Sequence, residues 1–285
     1  MPFAKLWEVP HLAEAVRGYQ RWQGQVSTKS RILTVAIDEL ARARRSTWTS
    51  LVALSGLAWG MASTVELYQF RNSGSPHTID SFAAMLDQLR WFVLGLAAVV
   101  GAPALLEDHR RGALELYLSR PLTKWDYLAG KALAVLALCF GVFVISIGAY
   151  TAASYVFYSS HPGGWLMAPL LGLLYAFVWV FMVAGLALGI SCVAQGGRAA
   201  SIIIFGSAVV LHVTATTILP QLTGTSWLGI FSPFQAHEAI KAWFWNSLPH
   251  GAFPPWWGLT EILAIAALGW GLVVWKHPRL RGEDQ

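Results

Sequence analysis

Residues 132–197 read ALAVLALCFGVFVISIGAYTAASYVFYSSHPGGWLMAPLLGLLYAFVWVFMVAGLALGISCVAQGG, and this stretch contains no Asp, Glu, Lys or Arg. A single helix over its 66 residues would be about 100 Å long at 1.5 Å per residue, which greatly exceeds a ~30 Å hydrocarbon layer. The sequence His161-Pro162-Gly163-Gly164 lies within the stretch and is typical of a turn. The stretch therefore predicts two membrane-spanning helices joined by a turn on the outer side.

The rest of the chain has the same apolar character. Of its 285 residues, 55% are hydrophobic and only 12% are charged, about half of the roughly 25% charge of a typical soluble domain. So few charges cannot cover a water-soluble surface. Six segments come close to the 17–25 mostly apolar residues that a span requires: 48–67, 88–106, 131–156, 165–193, 199–219 and 257–275. We predict an all-α polytopic membrane protein with six transmembrane helices.

The basic residues are distributed unevenly between the predicted loops. Of 20 Lys and Arg, 17 fall before the first span, between residues 107 and 131, at Arg198 or after residue 275. Only Arg71, Arg90 and Lys241 fall in the alternate loops. By the positive-inside rule, this asymmetry places both termini in the cytoplasm. It also relates the net charge of +5 to the membrane surface, so no nucleic-acid partner is expected.

Segments outside the spans complete the predicted organisation. Residues 1–27 form a cytoplasmic N-terminal extension, and residues 276–285 form a cytoplasmic tail. Residues 28–47 carry Leu33, Ile37 and Leu40 at helical spacing, which predicts an amphipathic helix on the inner leaflet of the lipid bilayer. The alternative is a cytoplasmic helix packed on a partner. Within the six-span domain of residues 48–275, the aromatic residues of segment 221–255 predict an outer helical hairpin.

The most informative segment connects the second and third spans. Residues 105–131 read LLEDHRRGALELYLSRPLTKWDYLAGK. Leu114, Tyr117 and Leu118 are spaced to form the apolar face of a short helix, which Pro121 would end. Residues 107–126 are therefore predicted to form a stiff helix-turn-helix elbow. A soluble partner that pushes on such an elbow would move the attached spans.

The start of the third span carries two further signals. Thr123 followed by Asp126 is a plausible capping pair for the helix that begins there. Lys131 is expected to extend its amine to the inner interface while its stem stays among apolar groups.

The same segment resembles that of the ABC type-2 permeases. In this family an acidic residue, Gly-Thr-Leu, a leucine run, Arg/Leu-Pro, a basic position and Leu-x-Gly-Lys follow the second span. Ala113 stands where threonine is usual. In size and elbow the chain is most similar to the permease of the nitrous oxide reductase maturation system and its relatives. The matching positions are Asp108, Gly112, Leu114, Leu116, Leu118, Arg120, Pro121, Lys124, Gly130 and Lys131.

The resemblance implies a permease that pairs with a second copy or a paralogue, as a homo- or heterodimer, with each half seated on an ABC ATPase subunit. It also favours export over import, across a membrane such as the bacterial inner membrane. The spans carry no recognisable constellation for binding a substrate. The implied ATPase-coupling site on the elbow comprises Asp108, Gly112, Leu114, Leu116, Tyr117, Leu118, Arg120 and Pro121.

Catalytic and metal-binding motifs are missing from the sequence. No G-x-x-x-x-G-K-[ST] loop is present, so ATP and its magnesium are expected on the partner ATPase, and no cofactor is expected in this chain. No H-E-x-x-H or G-x-S-x-G occurs. Cys139 and Cys192 lie inside apolar runs without metal-ligand spacing and are interpreted as small core residues. We therefore expect a non-catalytic subunit of an ATP-hydrolysing complex.

A few ionisable residues within the spans require an explanation, because such residues are costly in a bilayer. Four of them are predicted to lie at solvated outer ends: Glu66, Asp87, Arg90 and Glu261. His212 is near the middle of the fifth span, where a hydrogen bond to a neighbouring helix is favoured over a proton relay. The pairs Gly56/Gly60 and Gly185/Gly189 permit close helix approach, with packing inside one subunit favoured over a dimer seam.

A second class of function remains open at this point. An ion-coupled secondary transporter or a channel would also be an apolar helical membrane protein. Secondary transporters often show internal repeats and broken spans with a charged residue at the midplane. Neither signature is evident in this sequence, which favours the ATP-coupled permease. An ATPase chain that co-purifies would distinguish the two classes.

Overall fold

The computed structural model describes residues 31–73, 79–110, 123–157, 167–194, 196–225, 227–245 and 254–276. Within these ranges the protein is helical and contains no strand, which confirms the all-α fold class. The α-helices are α1 (Arg31–Arg45), α2 (Thr47–Asn72), α3 (Ile79–Arg110), α4 (Lys124–Phe157), α5 (Met167–Ser191), α6 (Gly197–Val213), α7 (Leu219–Thr223), α8 (Pro233–Trp245) and α9 (Pro255–Lys276). A π-helical turn, Thr214–Ile218, joins α6 to α7, and a short 3₁₀ helix, Trp227–Phe231, precedes α8.

Six helical stretches are long and apolar enough to cross a membrane, as predicted. Each overlaps one predicted span, and the second is longer than its uncharged core had suggested because it continues through charged residues at both ends. The turn predicted at 161–164 lies outside the described residues. The six stretches are Thr47–Asn72, Ser81–Asp108, Lys124–Phe157, Met167–Ser191, Gly197–Thr223 and Pro255–Lys276.

The spans form a core and a periphery. α3 and α5 are the most enclosed, because 67% and 61% of their most apolar 18-residue stretches are buried. The corresponding stretches of the spans that contain α2 and α6 are only 22% and 17% buried. α3 packs against α2, α4, α5 and α6, and α5 packs against α9. Helices that expose most of their apolar surface in this way are suited to contact with lipid or with another membrane subunit.

Glycines bring α5 and α9 into direct backbone contact. A Cβ atom added at Gly189 would lie 2.5 Å from the carbonyl oxygen of Gly269, and one added at Gly185 would lie 2.5 Å from Nε1 of Trp270. Only residues without a side chain permit this approach. The pair Gly56/Gly60 likewise faces side chains of α3 and α4, so both G-x-x-x-G pairs serve packing inside the chain, as favoured above.

Both predicted segments outside the spans contain helices in their described parts, while the place of 28–47 on the inner leaflet and the outer hairpin of 221–255 stay predictions. α8 lies within segment 221–255, and it buries Phe234, Ala236 and Ile240 while packing on α9. α1 has two apolar faces, because Val35 and Ala36 are buried against α4 whereas Leu33 and Ile37 remain exposed. The N-terminal extension, residues 246–253 of the hairpin and residues 277–285 of the tail lie outside the described residues.

Candidate functional site

The elbow begins and ends within the described residues, but its middle does not. α3 ends at Arg110 and α4 begins at Lys124, and the structure does not describe residues 111–122. Of the predicted coupling residues only Asp108 is therefore placed. The others lie outside the described residues: Gly112, Leu114, Leu116, Tyr117, Leu118, Arg120 and Pro121. Their coupling role stays a prediction.

The start of α4 is a reciprocal capping box. The backbone N–H of Asp126 donates to Oγ1 of Thr123 at 3.1 Å, and the backbone N–H of Thr123 donates to Oδ2 of Asp126 at 3.1 Å. Two N–H groups that the helix leaves unpaired are thereby satisfied. The predicted capping pair is confirmed, and it stabilises the first turn of α4.

Asp108 and Lys131 join the two ends of the elbow. Nζ of Lys131 lies 2.7 Å from Oδ2 of Asp108 and donates to the carbonyl oxygen of Ala104 at 3.1 Å. The hydroxyl of Tyr127 donates to the same Asp108 oxygen at 2.8 Å. The Lys131 side chain is only 1% exposed, so the prediction that it extends to the interface was wrong. The amine turns inward because two carboxylates lie within reach there.

The second carboxylate comes from α1. Glu39 forms an ion pair with Lys131 and another with Arg42, one turn further along α1, at 3.2 Å. Arg42 also reaches Oδ1 of Asp108 at 2.8 Å. We call the set of Glu39, Arg42, Asp108, Tyr127 and Lys131 the elbow clamp. It connects α1, α3 and α4 at the end of the bundle from which the elbow leaves.

Charge balance explains why the elbow clamp can be buried. It contains two carboxylates and two cations, and every one of these charges has at least two partners within the clamp. Burial of an isolated charge would cost several kcal/mol, whereas a fully paired and hydrogen-bonded group avoids most of that cost. The four charges therefore depend on one another, and loss of any one leaves an excess charge in an enclosed site.

Gly130 is what lets α1 reach the clamp. A Cβ atom at this position would lie 2.6 Å from Cβ of Val35 and 2.9 Å from the carbonyl oxygen of Ile32. α1 and α4 can approach this closely only because residue 130 has no side chain. The two residues of the Gly130-Lys131 pair thus have separate structural roles. Gly130 makes room for α1, and Lys131 forms an ion pair with Glu39 of α1.

Sequence reasoning missed Glu39, Arg42 and Tyr127. Glu39 carried a usable signal, because it stands one turn from Val35 and from Ala43 on what would otherwise be an apolar strip of α1. An acidic residue in that position implies a buried cation nearby. Tyr127 and Arg42 carried no such signal, since either could equally have faced headgroups.

A second charge network, largely enclosed, lies nearer the start of α3. Nη2 of Arg90 lies 2.9 Å from Oδ1 of Asp87, and Nζ of Lys241 lies 2.6 Å from Oδ2 of the same carboxylate. The Tyr175 hydroxyl also donates to Asp87 at 2.9 Å. Arg90 is 4% exposed, so the solvated-end interpretation was wrong for this residue, whereas the Asp87 side chain remains 17% exposed. We call Asp87, Arg90, Tyr175, His237 and Lys241 the α8 network.

His237 ties α8 into this network. Its Nε2 lies 2.9 Å from the carbonyl oxygen of Tyr175, which can only accept, so Nε2 carries the proton. Nδ1 then faces Nη1 of Arg90 at 3.4 Å as an acceptor. Complete burial, together with the positive charge of Arg90, holds the pKa of His237 well below its usual range. His237 is therefore neutral, and α8 is fixed to α3 and α5 by directed bonds.

The remaining ionisable residues of the spans differ from one another. Glu66 is exposed, as predicted. Oε2 of Glu261 is buried and has no hydrogen-bond partner in the part of the chain that the structure describes, whereas the residue as a whole is half-buried, so its solvated-end interpretation stays a prediction. Nδ1 of His212 lies 2.8 Å from Oγ of Ser232, so His212 is hydrogen-bonded as predicted, but its partner is the residue just before α8 rather than one inside a helix. Among the described residues no group of His, Cys, Asp or Glu could hold a metal ion.

Comparison with known proteins agrees with this architecture. Residues 33–267 match the family model described as ABC-2 family transporter protein. The match begins inside α1 and ends inside α9, so it contains the whole elbow clamp and the α8 network. No curated protein matches the chain.

Proposed function

Because the chain belongs to the ABC-2 transporter family, we propose that this membrane-spanning permease subunit works in an ATP-driven exporter, with ATP hydrolysed on a separate chain. The elbow of residues 107–126 is the proposed docking site for that ATPase. Leu114, Tyr117 and Leu118 would form the apolar face of the contact.

The observation that supports this proposal most directly is the elbow clamp. A coupling segment must pass displacement to the spans rather than absorb it. The buried Asp108–Lys131 ion pair holds the two ends of the elbow together, and Glu39 and Arg42 attach α1 to the same point. A push on the elbow would therefore move α1, α3 and α4 as one unit.

The rest of the complex follows from the family. The proposed partners are two ABC ATPase subunits and a second permease, identical or paralogous, in a bacterial inner membrane. Magnesium and ATP would bind only to the ATPases. Both termini and the elbow would face the cytoplasm, in agreement with the positive charge near those segments. Similarity in size and elbow supports a place among relatives of the nitrous oxide reductase maturation permease.

Mass spectrometry of the gently solubilised complex tests the proposal. We expect an ATPase chain and a second permease in the same assembly, and no ATP hydrolysis by the permease alone. Robust turnover by a preparation proven free of other chains would refute the separate-ATPase proposal. An ion-coupled transporter would instead move its substrate in vesicles that contain this chain only, driven by an ion gradient.

A further inference from the structure

A cavity of about 940 Å³ opens beside the elbow clamp. It lies between the end of α1, the start of α2, the last turns of α3 and the start of α6. Trp48 and Ile202 stand on its walls and are 70% and 71% exposed. Since both belong to the two least buried spans, the cavity opens toward the surroundings of the bundle at one end of the spans.

The lining changes from polar to apolar with depth. Arg198 and Glu107 are at the end of the bundle, where α6 starts and α3 is about to finish. Deeper along the same two helices the wall is formed by Ile202, Val99 and Val100. A molecule with a polar head and an apolar chain would match this order, whereas a wholly polar or wholly apolar one would not.

The polar end offers groups that suit a phosphate. Arg198 is exposed and forms no ion pair within the described ranges, and its guanidinium can bind a phosphate through two N–H groups at once. Arg42 also lines the cavity, with 38% of its side chain exposed although it contacts Asp108 and Glu39. The charges of Glu39 and Arg42 balance within the elbow clamp, so Arg198 is the cation of this wall that is available for a phosphate, with the Glu107 carboxylate at the same end.

The first turn of α6 adds to the same end. Gly196, the N-cap, gives α6 no side-chain hydrogen bond, and the N–H groups of Gly197, Arg198 and Ala199 have no acceptor within the helix. All four residues line the cavity. Their N–H groups and the positive end of the helix dipole favour an anion beside Arg198.

We infer that this cavity binds a membrane phospholipid, with its phosphate on Arg198 and the first turn of α6 and an acyl chain along Val99, Val100 and Ile202. The bound lipid would bridge α2 and α6 next to the elbow clamp. This site goes beyond the proposed function, because it requires neither an ATPase partner nor a particular cargo.

Native mass spectrometry of the full-length protein, purified in mild detergent with its bound subunits, tests the inference. Phosphatidylglycerol is added as the probe, and diacylglycerol, which has the same chains without the phosphate, is added as the comparison. We expect phosphatidylglycerol adducts on the native chain and an affinity roughly tenfold or more lower in Arg198→Gln, because a charge-assisted contact is lost. Arg45→Gln, an exposed arginine of α1 outside the cavity, should bind like the native chain.

A second variant addresses the apolar part. Ile202→Trp should fill the chain groove without altering charge, and it should also lose the adduct. Equal binding by Arg198→Gln, or equal binding of diacylglycerol, would overturn the inference. Full competition by inorganic phosphate would overturn it too, by showing a site for a soluble anion. Efficient cross-linking between two copies that each carry Arg198→Cys, in the presence of lipid, would show instead that the cavity is a seam between copies.

Discussion

Nζ of Lys131 lies 2.7 Å from Oδ2 of Asp108, so the last turn of α3 and the second turn of α4 are joined by a buried ion pair. The two ends of the elbow are consequently held together at one point of the bundle. Of the charges at that point, Lys131 is the one that contacts both carboxylates while being almost fully enclosed.

Lys131→Met tests the energetic role of the clamp. The substitution leaves Glu39 and Asp108 with a single cation, Arg42, and we expect a loss of about 3–5 kcal/mol, as for other broken buried pairs. Thermal unfolding in detergent measures this loss. Lys124→Met, a change of the same kind at the first residue of α4, should cost less than about 1 kcal/mol. Equal stability of the two variants would mean that the clamp contributes little.

Leu118→Asp tests the docking role of the elbow. A charge placed in a dry contact should cost several kcal/mol of binding and should release the ATPase. Since the elbow lies outside the spans, the variant should still reach the membrane in normal amount. Co-purification and transport assays measure the outcome, with Arg110→Ala as a control of much smaller effect. Retention of partner and transport by Leu118→Asp would exclude this part of the elbow as the docking site.

The buried neutral His237 predicts a dependence of stability on pH. Its pKa in the folded protein is depressed, whereas the unfolded chain should titrate near 6.5. Below about pH 6.5 the unfolded state takes up a proton that the folded state refuses, so stability should fall as pH decreases, by up to about 1.4 kcal/mol per pH unit.

Unfolding temperatures measured between pH 8 and pH 5 test this dependence. His237→Gln keeps an N–H donor for the Tyr175 carbonyl but does not titrate. Its unfolding temperature should therefore decline less between about pH 6.5 and pH 5. Parallel curves for the two proteins would show that other groups cause the acid sensitivity.

Cysteine labelling tests the orientation. With Cys139 and Cys192 replaced by alanine, single cysteines at Ser73 and Asn246 should react with an impermeant reagent added from outside. A cysteine at Arg120 should react only after the membrane is opened. The reverse pattern would mean that the basic residues do not follow the positive-inside rule here.

Features that depend on neighbouring residues could be predicted from the sequence. The six spans follow from local hydropathy and length, and the Thr123–Asp126 capping box depends on residues three apart. The solvated positions predicted for Lys131 and Arg90 failed for a common reason. The groups that hold them inside the bundle are far along the chain, as Glu39 is from Lys131 and the Phe234 carbonyl is from Arg90, and hydropathy does not reveal which distant groups meet.

The same limit applies to the candidate site. The resemblance of residues 105–131 located the elbow, and Asp108 was expected to matter because of its place in that pattern. That Asp108 meets a glutamate and an arginine of α1 through a lysine of α4 required the helices to be packed. The role of Gly130 likewise depends on the packing of α1 against it, which the sequence does not reveal.

The contact of Gly185 and Gly189 with Gly269 has a mechanical consequence. Where two helices touch backbone to backbone, no flexible side chains lie between them to absorb a sliding motion. We therefore expect α5 and α9 to move together as one rigid body in any conformational change. Relative motion would then be concentrated in α2 and α6, which are the least buried of the spans.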